Sequence, residues 1–193
     1  MLTPWCDVQL DPEKSADLKV QGLLVLKQLL MGGTPHVTSH EVAILTTLID
    51  LRGKYPIHSH VTTGIEEITE DFMNVTDPTL SIDAILNITL PQDKPESYQL
   101  PIQSWCMGLR CIASLIKSSK LETLEREMKR LGRLAVKSLE AEDSEVRKSC
   151  VSMCVELHAK VGDDTRLFET VLEGLGQGQQ NLLTYYFAKN QRA

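Results

Sequence analysis

Cysteine and histidine recur at four-residue intervals in the segment EDSEVRKSCVSMCVELHAKVGDD, residues 142–164. The residues are Cys150, Cys154 and His158, and their spacing places them along one ridge of a predicted helix. Thiolate and imidazole groups are good zinc ligands, and two neighbouring thiols could also be a reactive pair. However, residues i and i+8 are separated by about 12 Å of helix rise, so at most two of the three could share one ion.

The same helix face is apolar without any metal. Four apolar residues flank the cysteines at helical spacing: Val146, Met153, Leu157 and Val161. A buried free cysteine behaves as a small hydrophobic residue. We therefore interpret Cys150 and Cys154 as core residues, and we predict neither a metal site nor a cofactor.

The other candidates for catalysis are weak. Four further histidines cluster in the sequence: His36, His40, His58 and His60. No cysteine lies near them, so we interpret them as turn residues rather than as metal ligands. No acid partner is matched to them, and the chain has no P-loop, no G-x-G-x-x-G and no G-x-S-x-G motif. These observations predict that the protein is not an enzyme.

The composition is typical of a soluble globular protein. Hydrophobic residues make up 42% and charged residues 24% of the 193 residues. The five cysteines are an odd number and no signal peptide precedes them, which favours a reducing, intracellular compartment. A formal net charge of −6 argues against nucleic acid as a partner. No apolar run approaches the roughly 20 residues of a membrane span, so we expect no membrane insertion.

Apolar residues recur every three or four positions through most of the chain, which predicts amphipathic helices. Asp11-Pro12 and Asp77-Pro78 each supply a capping aspartate followed by a proline at the first helical position. Ser39 or Thr38 is predicted to cap the second helix. The predicted helices cover residues 11–31, 39–51, 60–74, a short stretch from 77, 102–117, 121–140, 144–161, about 167–175 and about 182–187.

These elements predict an all-α fold, an α-solenoid of stacked antiparallel helical hairpins with about eight or nine helices. The fragment DSEVRKSCVSMCVEL resembles the second helix of a HEAT repeat. Residues 88–101 contain three prolines and are predicted to be an irregular connection within a single domain, 1–193. A boundary between two subdomains at this point is the alternative.

A basic stripe follows the helix predicted at 121–140. Four cationic residues fall within about 60° of one another around this helix, opposite Met128: Arg126, Arg130, Arg133 and Lys137. Like charges four residues apart are unfavourable, whereas a solvated helix face more often interleaves the two signs. The stripe could bind an acidic segment of a partner; an ordinary exposed face is the alternative.

A second surface candidate is apolar. Leucine and valine occupy four consecutive positions, 23–26, which predicts that the first helix is covered on more than one side. Trp5, Leu23 and Leu24 could belong to the core, or they could be covered by a second copy of the chain. The sequence leaves these two interpretations equal.

The C-terminal third resembles a known family. EVRKSCVSMCVELHAKVGDD, followed by LLTYYFAKNQ, resembles the C-terminal HEAT-like domain of CLASP proteins, which are microtubule-associated. The LLTYYFAK ending is most similar to fungal members. The resemblance is closest over residues 140–190 and extends more weakly over 102–140.

The resemblance implies a non-catalytic adaptor domain that dimerises and binds a segment of a kinetochore or spindle localisation partner. It implies that other parts of the full-length protein contact microtubules. It also implies a location in the cytoplasm and cytoskeleton, at the mitotic spindle and kinetochore, and in the nucleus in fungi. A tubulin-binding TOG array is the alternative. The turn MGGTPHVTS lacks the aromatic and basic residues such arrays display, and AEDSE, residues 141–145, is acidic.

Overall fold

The computed structural model describes residues 10–11, 13–32, 40–91, 100–162, 169 and 171–191. Within these ranges the regular structure consists of eight α-helices and of helical residues at 169 and 171–172, and no strand occurs. The all-α prediction is therefore confirmed. The helices are α1 Ala16–Met31, α2 Glu41–Arg52, α3 His60–Val75, α4 Pro78–Thr89, α5 Ile102–Ser118, α6 Leu121–Leu139, α7 Ser144–Val161 and α8 Gln177–Asn190.

Helix starts agree with the sequence where a side-chain cap is unambiguous. Asp77 accepts a hydrogen bond from the Leu80 N–H, with Pro78 in the first turn of α4. Asp143 accepts from the Glu145 and Val146 N–H groups at the start of α7. Each cap supplies an acceptor for N–H groups that have no partner inside the helix.

Two predicted helix starts were wrong or cannot be assigned. The N-cap of α1 is Ser15, while Asp11 instead accepts from the Glu13 N–H in a preceding turn. The N-cap of α2 is His40, whose side chain makes no capping hydrogen bond. Thr38 and Ser39, the caps predicted for α2, lie outside the described residues.

The helices pack in two layers. In one layer α4 contacts both α2 and α6; in the other, α1, α3, α5 and α7 follow one another. The pairs α2–α3, α4–α5 and α6–α7 pack across the layers as hairpins, and α8 packs on α7. This is the stacked-hairpin arrangement that the periodicity predicted.

The core between the layers is built mainly from aliphatic side chains. Ile82, Leu109 and Leu131 have no exposed surface, and Phe72 is the bulkiest fully buried residue. Close backbone contact also joins elements: a Cβ added at Gly53 would lie 2.5 Å from the Pro101 Cβ. The end of α2 therefore abuts the start of α5 without room for a side chain.

The first helix is covered on one side only in the described part of the chain. Leu23 and Leu26 are buried, but Leu24 is 55% exposed and Val25 is 42% exposed. The prediction that α1 is covered on more than one side was therefore wrong. No helix among the described residues is long and apolar enough to cross a membrane.

Two further predicted elements run into residues outside the described ranges. Helix α4 continues to Thr89, so the irregular connection begins later than residue 88, and its residues 92–99 lie outside the described ranges. Of the helix predicted at about 167–175, residues 169, 171 and 172 are helical, whereas 167, 168 and 170 are also outside the described ranges.

Candidate functional site

The cysteine and histidine ridge of α7 faces two different neighbours. Cys150 and Cys154 are fully buried, and the Cys150 Sγ donates to the Ala135 carbonyl oxygen of α6 at 3.6 Å. His158 instead stacks on the Phe187 ring of α8, with centroids 4.2 Å apart. The two thiols are thus core residues, as predicted. In the part of the chain that the structure describes, no group of three or more histidine, cysteine, aspartate or glutamate residues could hold a metal ion.

Burial makes the thiols less acidic. It raises the pKa of Cys106, and it raises the pKa of Cys111 to about 12. A hydrogen bond with Cys154, together with burial, raises the pKa of Cys150 well above its ordinary value. A nucleophilic cysteine requires the opposite shift, towards thiolate at neutral pH.

The predicted turn histidines occupy helix starts and a connection. His40 is the N-cap of α2, and His60 is the first residue of α3. His58 lies in the connection between these helices, and His36 is outside the described residues.

Arg130 of the basic stripe forms hydrogen bonds with other side chains of the protein. Its Nη1 donates to Asp83 Oδ1 at 2.5 Å and to Glu127 Oε2 at 2.8 Å, and its Nη2 donates to Asn87 Oδ1 at 2.6 Å. Asp83 and Asn87 belong to α4, so this guanidinium joins α6 to α4. The sequence interpretation overlooked Glu127, which interleaves a negative charge three residues before Arg130.

Lys137 of the basic stripe also contacts another helix and is partly buried. Its Nζ lies 5.7 Å from the centroid of the Trp105 ring on α5, within the range of a cation–π contact. Partial burial lowers the pKa of this lysine.

Two members of the stripe remain exposed to solvent. Arg126 and Arg133 are exposed, and neither forms an ion pair among the described residues. Seven residues of helix separate them, or about 10 Å. This spacing suits two carboxylates on an extended or helical acidic segment.

The predicted self-association residues lie in different environments. Leu23 is buried against α3, where a Cβ added at Gly64 would lie 2.9 Å from its Cδ1. Leu24 points outward, and Leu18 and Met31 are also exposed on α1. Trp5 is outside the described residues. The exposed apolar surface of α1 therefore consists of residues other than Leu23.

One concave feature was not foreseen from the sequence. A pocket of about 620 Å³ lies where the start of α5 meets the α6–α7 turn. Its lining residues are Ile102, Trp105, Glu140, Ala141, Glu142, Asp143 and Val146. The acidity of this turn was visible in the sequence, but its proximity to Trp105 was not.

Fold and surface together define a class of protein: a two-layered helical solenoid whose distinctive side chains lie on its outer faces and at its turns. Comparison with known sequences gives the family. The chain is 34% identical to Protein stu-1 of Neurospora crassa over 189 residues, which cover 93% of this chain and 16% of that protein. It is 29% identical to Protein STU1 of Gibberella zeae over 182 residues, covering 94% and 16%.

A third relative gives the same result. Protein stu1 of Aspergillus fumigatus is 28% identical over 173 residues, which cover 90% of this chain and 13% of that protein. No family model matches the chain. These matches confirm the resemblance to the CLASP family, of which the fungal STU1 proteins are homologues. The matched residues span 13–16% of the length of these relatives.

Proposed function

We propose that the chain is a non-catalytic protein-interaction domain of a CLASP-like microtubule regulator. In this proposal it binds a segment of a kinetochore or spindle localisation partner, and other parts of the full-length protein contact microtubules. The observation that carries the proposal is the match to stu-1 over 93% of the chain. The corresponding location is the cytoskeleton and the mitotic spindle. More specifically, we propose that the protein is at the kinetochore and, in fungi, in the nucleus.

A non-catalytic role agrees with the chemistry of the buried thiols. Burial holds the pKa of Cys106 and of Cys111 above the ordinary value, so both stay protonated at neutral pH. Such thiols serve packing rather than nucleophilic attack. Tubulin binding remains the second candidate, and the carboxylates of Glu140 and Glu142 at the α6–α7 turn oppose it, because tubulin is itself acidic.

The exposed half of the basic stripe is the proposed contact for an acidic partner segment. Reversing both charges, Arg126→Glu with Arg133→Glu, should weaken capture of spindle proteins from a mitotic extract about tenfold, since opposed charges would become like charges. Quantitative pull-down measures the effect. Arg130 is left intact because its loss would also break the contact between α4 and α6.

A matched variant separates position from net charge. Lys120→Glu with Lys189→Glu makes the same change in charge at two other exposed sites and should leave capture unchanged. Circular dichroism should show the same helix content in all three proteins. Equal capture by the stripe variant and the wild type would remove the stripe from the binding surface.

Self-association is the second part of the proposal, and it is assigned to the exposed face of α1. Leu24→Asp should weaken dimerisation at least tenfold, because a carboxylate would enter an otherwise apolar contact, an effect on the order of that seen for central interface residues. Sedimentation equilibrium across concentration measures it. Leu80→Asp is the control, since Leu80 is exposed on α4. A protein that stays monomeric, or a dimer unaffected by Leu24→Asp, would contradict this assignment.

A further inference from the structure

The pocket at the α6–α7 turn, here called the turn pocket, combines one exposed apolar side chain with an acidic rim. Ile102, the first residue of α5, is 44% exposed at its edge. The Trp105 Nε1–H donates to Ser138 Oγ at 3.1 Å, so the polar atom of the indole is already satisfied within the protein. Trp105 is only 3% exposed, so the apolar surface that a ligand can reach is mainly that of Ile102.

The rim of the turn pocket is negatively charged. Glu140, Glu142 and Asp143 line it, and no basic side chain among the described residues does. Asp143 is occupied as the N-cap of α7. The side chains of Glu140 and Glu142 form no ion pair among the described residues, so both carboxylates are available to a ligand.

Three cationic side chains near the turn already contact other groups of the protein. Arg147 Nη1 donates to the backbone carbonyl oxygens of Ala141 and Glu142, at 2.6 and 2.7 Å, and so fixes the shape of the turn. Lys148 pairs with Glu145 at 2.7 Å. Lys137 lies against the Trp105 ring. None of these side chains lines the pocket.

We propose that the turn pocket is a docking site for a partner segment with an apolar anchor residue flanked by lysine or arginine. The anchor would pack on the exposed side chain of Ile102, and the flanking cations would pair with Glu140 and Glu142. A volume of about 620 Å³ accommodates one large side chain and the adjoining backbone. Nucleic acid and acidic protein tails are disfavoured, because their charge has the same sign as the rim.

This inference is independent of the basic stripe. The stripe would attract acidic segments, whereas the turn pocket would select basic ones. Failure of either binding experiment therefore leaves the other unaffected.

The test uses random peptides displayed on phage, selected on the immobilised 193-residue chain. Enriched peptides should share an apolar residue with lysine or arginine on either side. Synthetic fluorescent copies should bind about tenfold more weakly to Glu140→Lys with Glu142→Lys, and the affinity for the wild type should fall as salt rises. Ile102→Ser should weaken the same peptides by removing the apolar contact.

Control variants keep the result interpretable. Glu122→Lys with Glu125→Lys changes the net charge equally at the other end of α6, roughly 22 Å away by helix rise, and should alter the affinity less than about twofold. Lysine at position 140 is compatible with the fold, because a cation at a helix C-terminus is favourable.

Three outcomes would overturn the inference. One is the absence of any enriched peptide, and another is enrichment of peptides without basic residues. The third is binding that Glu140→Lys with Glu142→Lys does not change. If instead that variant converts a dimeric wild type into a monomer, the pocket is occupied by a second copy, and the proposed partner segment is wrong.

Discussion

Replacing Glu66 with glutamine is expected to lower the free energy of unfolding by about 2–3 kcal/mol, because it leaves a buried cation without an anion. Arg52 at the end of α2 is only 3% exposed, and its Nε donates to Glu66 Oε1 of α3 at 2.7 Å. Arg110 of α5 reaches the same oxygen at 3.4 Å. Glu66 therefore neutralises two guanidinium groups from two other helices.

The size of the effect follows from the environment of each partner. Arg52 Nη1 is buried without a hydrogen-bond partner among the described residues, so Glu66 supplies most of its compensation. Glu66 itself is 36% exposed. We therefore expect a smaller loss of stability than the roughly 3–5 kcal/mol typical of breaking a fully buried ion pair.

Urea denaturation of matched variants measures this loss. Glu67→Gln makes the same chemical change at the next, exposed position of α3 and should shift stability by less than about 0.5 kcal/mol. Adding Arg52→Met to Glu66→Gln should recover much of the loss, since an apolar side chain of similar length needs no anion. If Glu66→Gln behaves like Glu67→Gln, water rather than Glu66 compensates Arg52.

Local sequence rules predicted most of the helices. The apolar period of three to four residues depends only on neighbours along the chain, and so do caps such as Asp77 and Asp143. The prediction failed at α1, where Asp11 and Ser15 both offer an acceptor and the structure uses the second. The sequence does not say which of two nearby capping residues the tertiary contacts will favour.

The sequence predicted on which helix face the charged side chains lie, but it did not predict which residues they contact. Helix geometry placed Arg126, Arg130 and Arg133 on one face, yet the groups that engage Arg130 include Asp83, 47 residues away. The turn pocket joins Trp105 to Glu140 from separate helices in the same way. Such pairings depend on how the hairpins stack, and a single sequence does not show that register.

Burial of the cysteines has a consequence for stability at alkaline pH. Burial raises the pKa of Cys111 from its ordinary value of 9.0 to about 12. Between these values the unfolded chain has released the thiol proton and the folded chain still holds it. The stability contributed by the protonated thiol is thus fully present below pH 9.0 and is lost as the pH rises towards 12.

We expect this one residue to lower the free energy of unfolding by about 4 kcal/mol across that range, because each pH unit between the two pKa values corresponds to about 1.4 kcal/mol. Cys150 shifts in the same direction through its hydrogen bond with Cys154 and through burial. The total alkaline loss should therefore exceed the contribution of Cys111. Urea unfolding at steps from about pH 8 to about pH 10.5 measures the slope.

Two variants identify the residue that causes the loss of stability with rising pH. Cys111→Ala should be less stable at neutral pH, because it leaves a small cavity, but its stability should fall less steeply above pH 9.0. Tyr55, whose pKa burial also raises to about 12, ionises from a higher ordinary value of 10.0, so Tyr55→Phe should leave the slope just above pH 9.0 unchanged. Parallel curves for Cys111→Ala and the wild type would mean that Cys111 ionises in the folded chain, and that its side chain is reached by water.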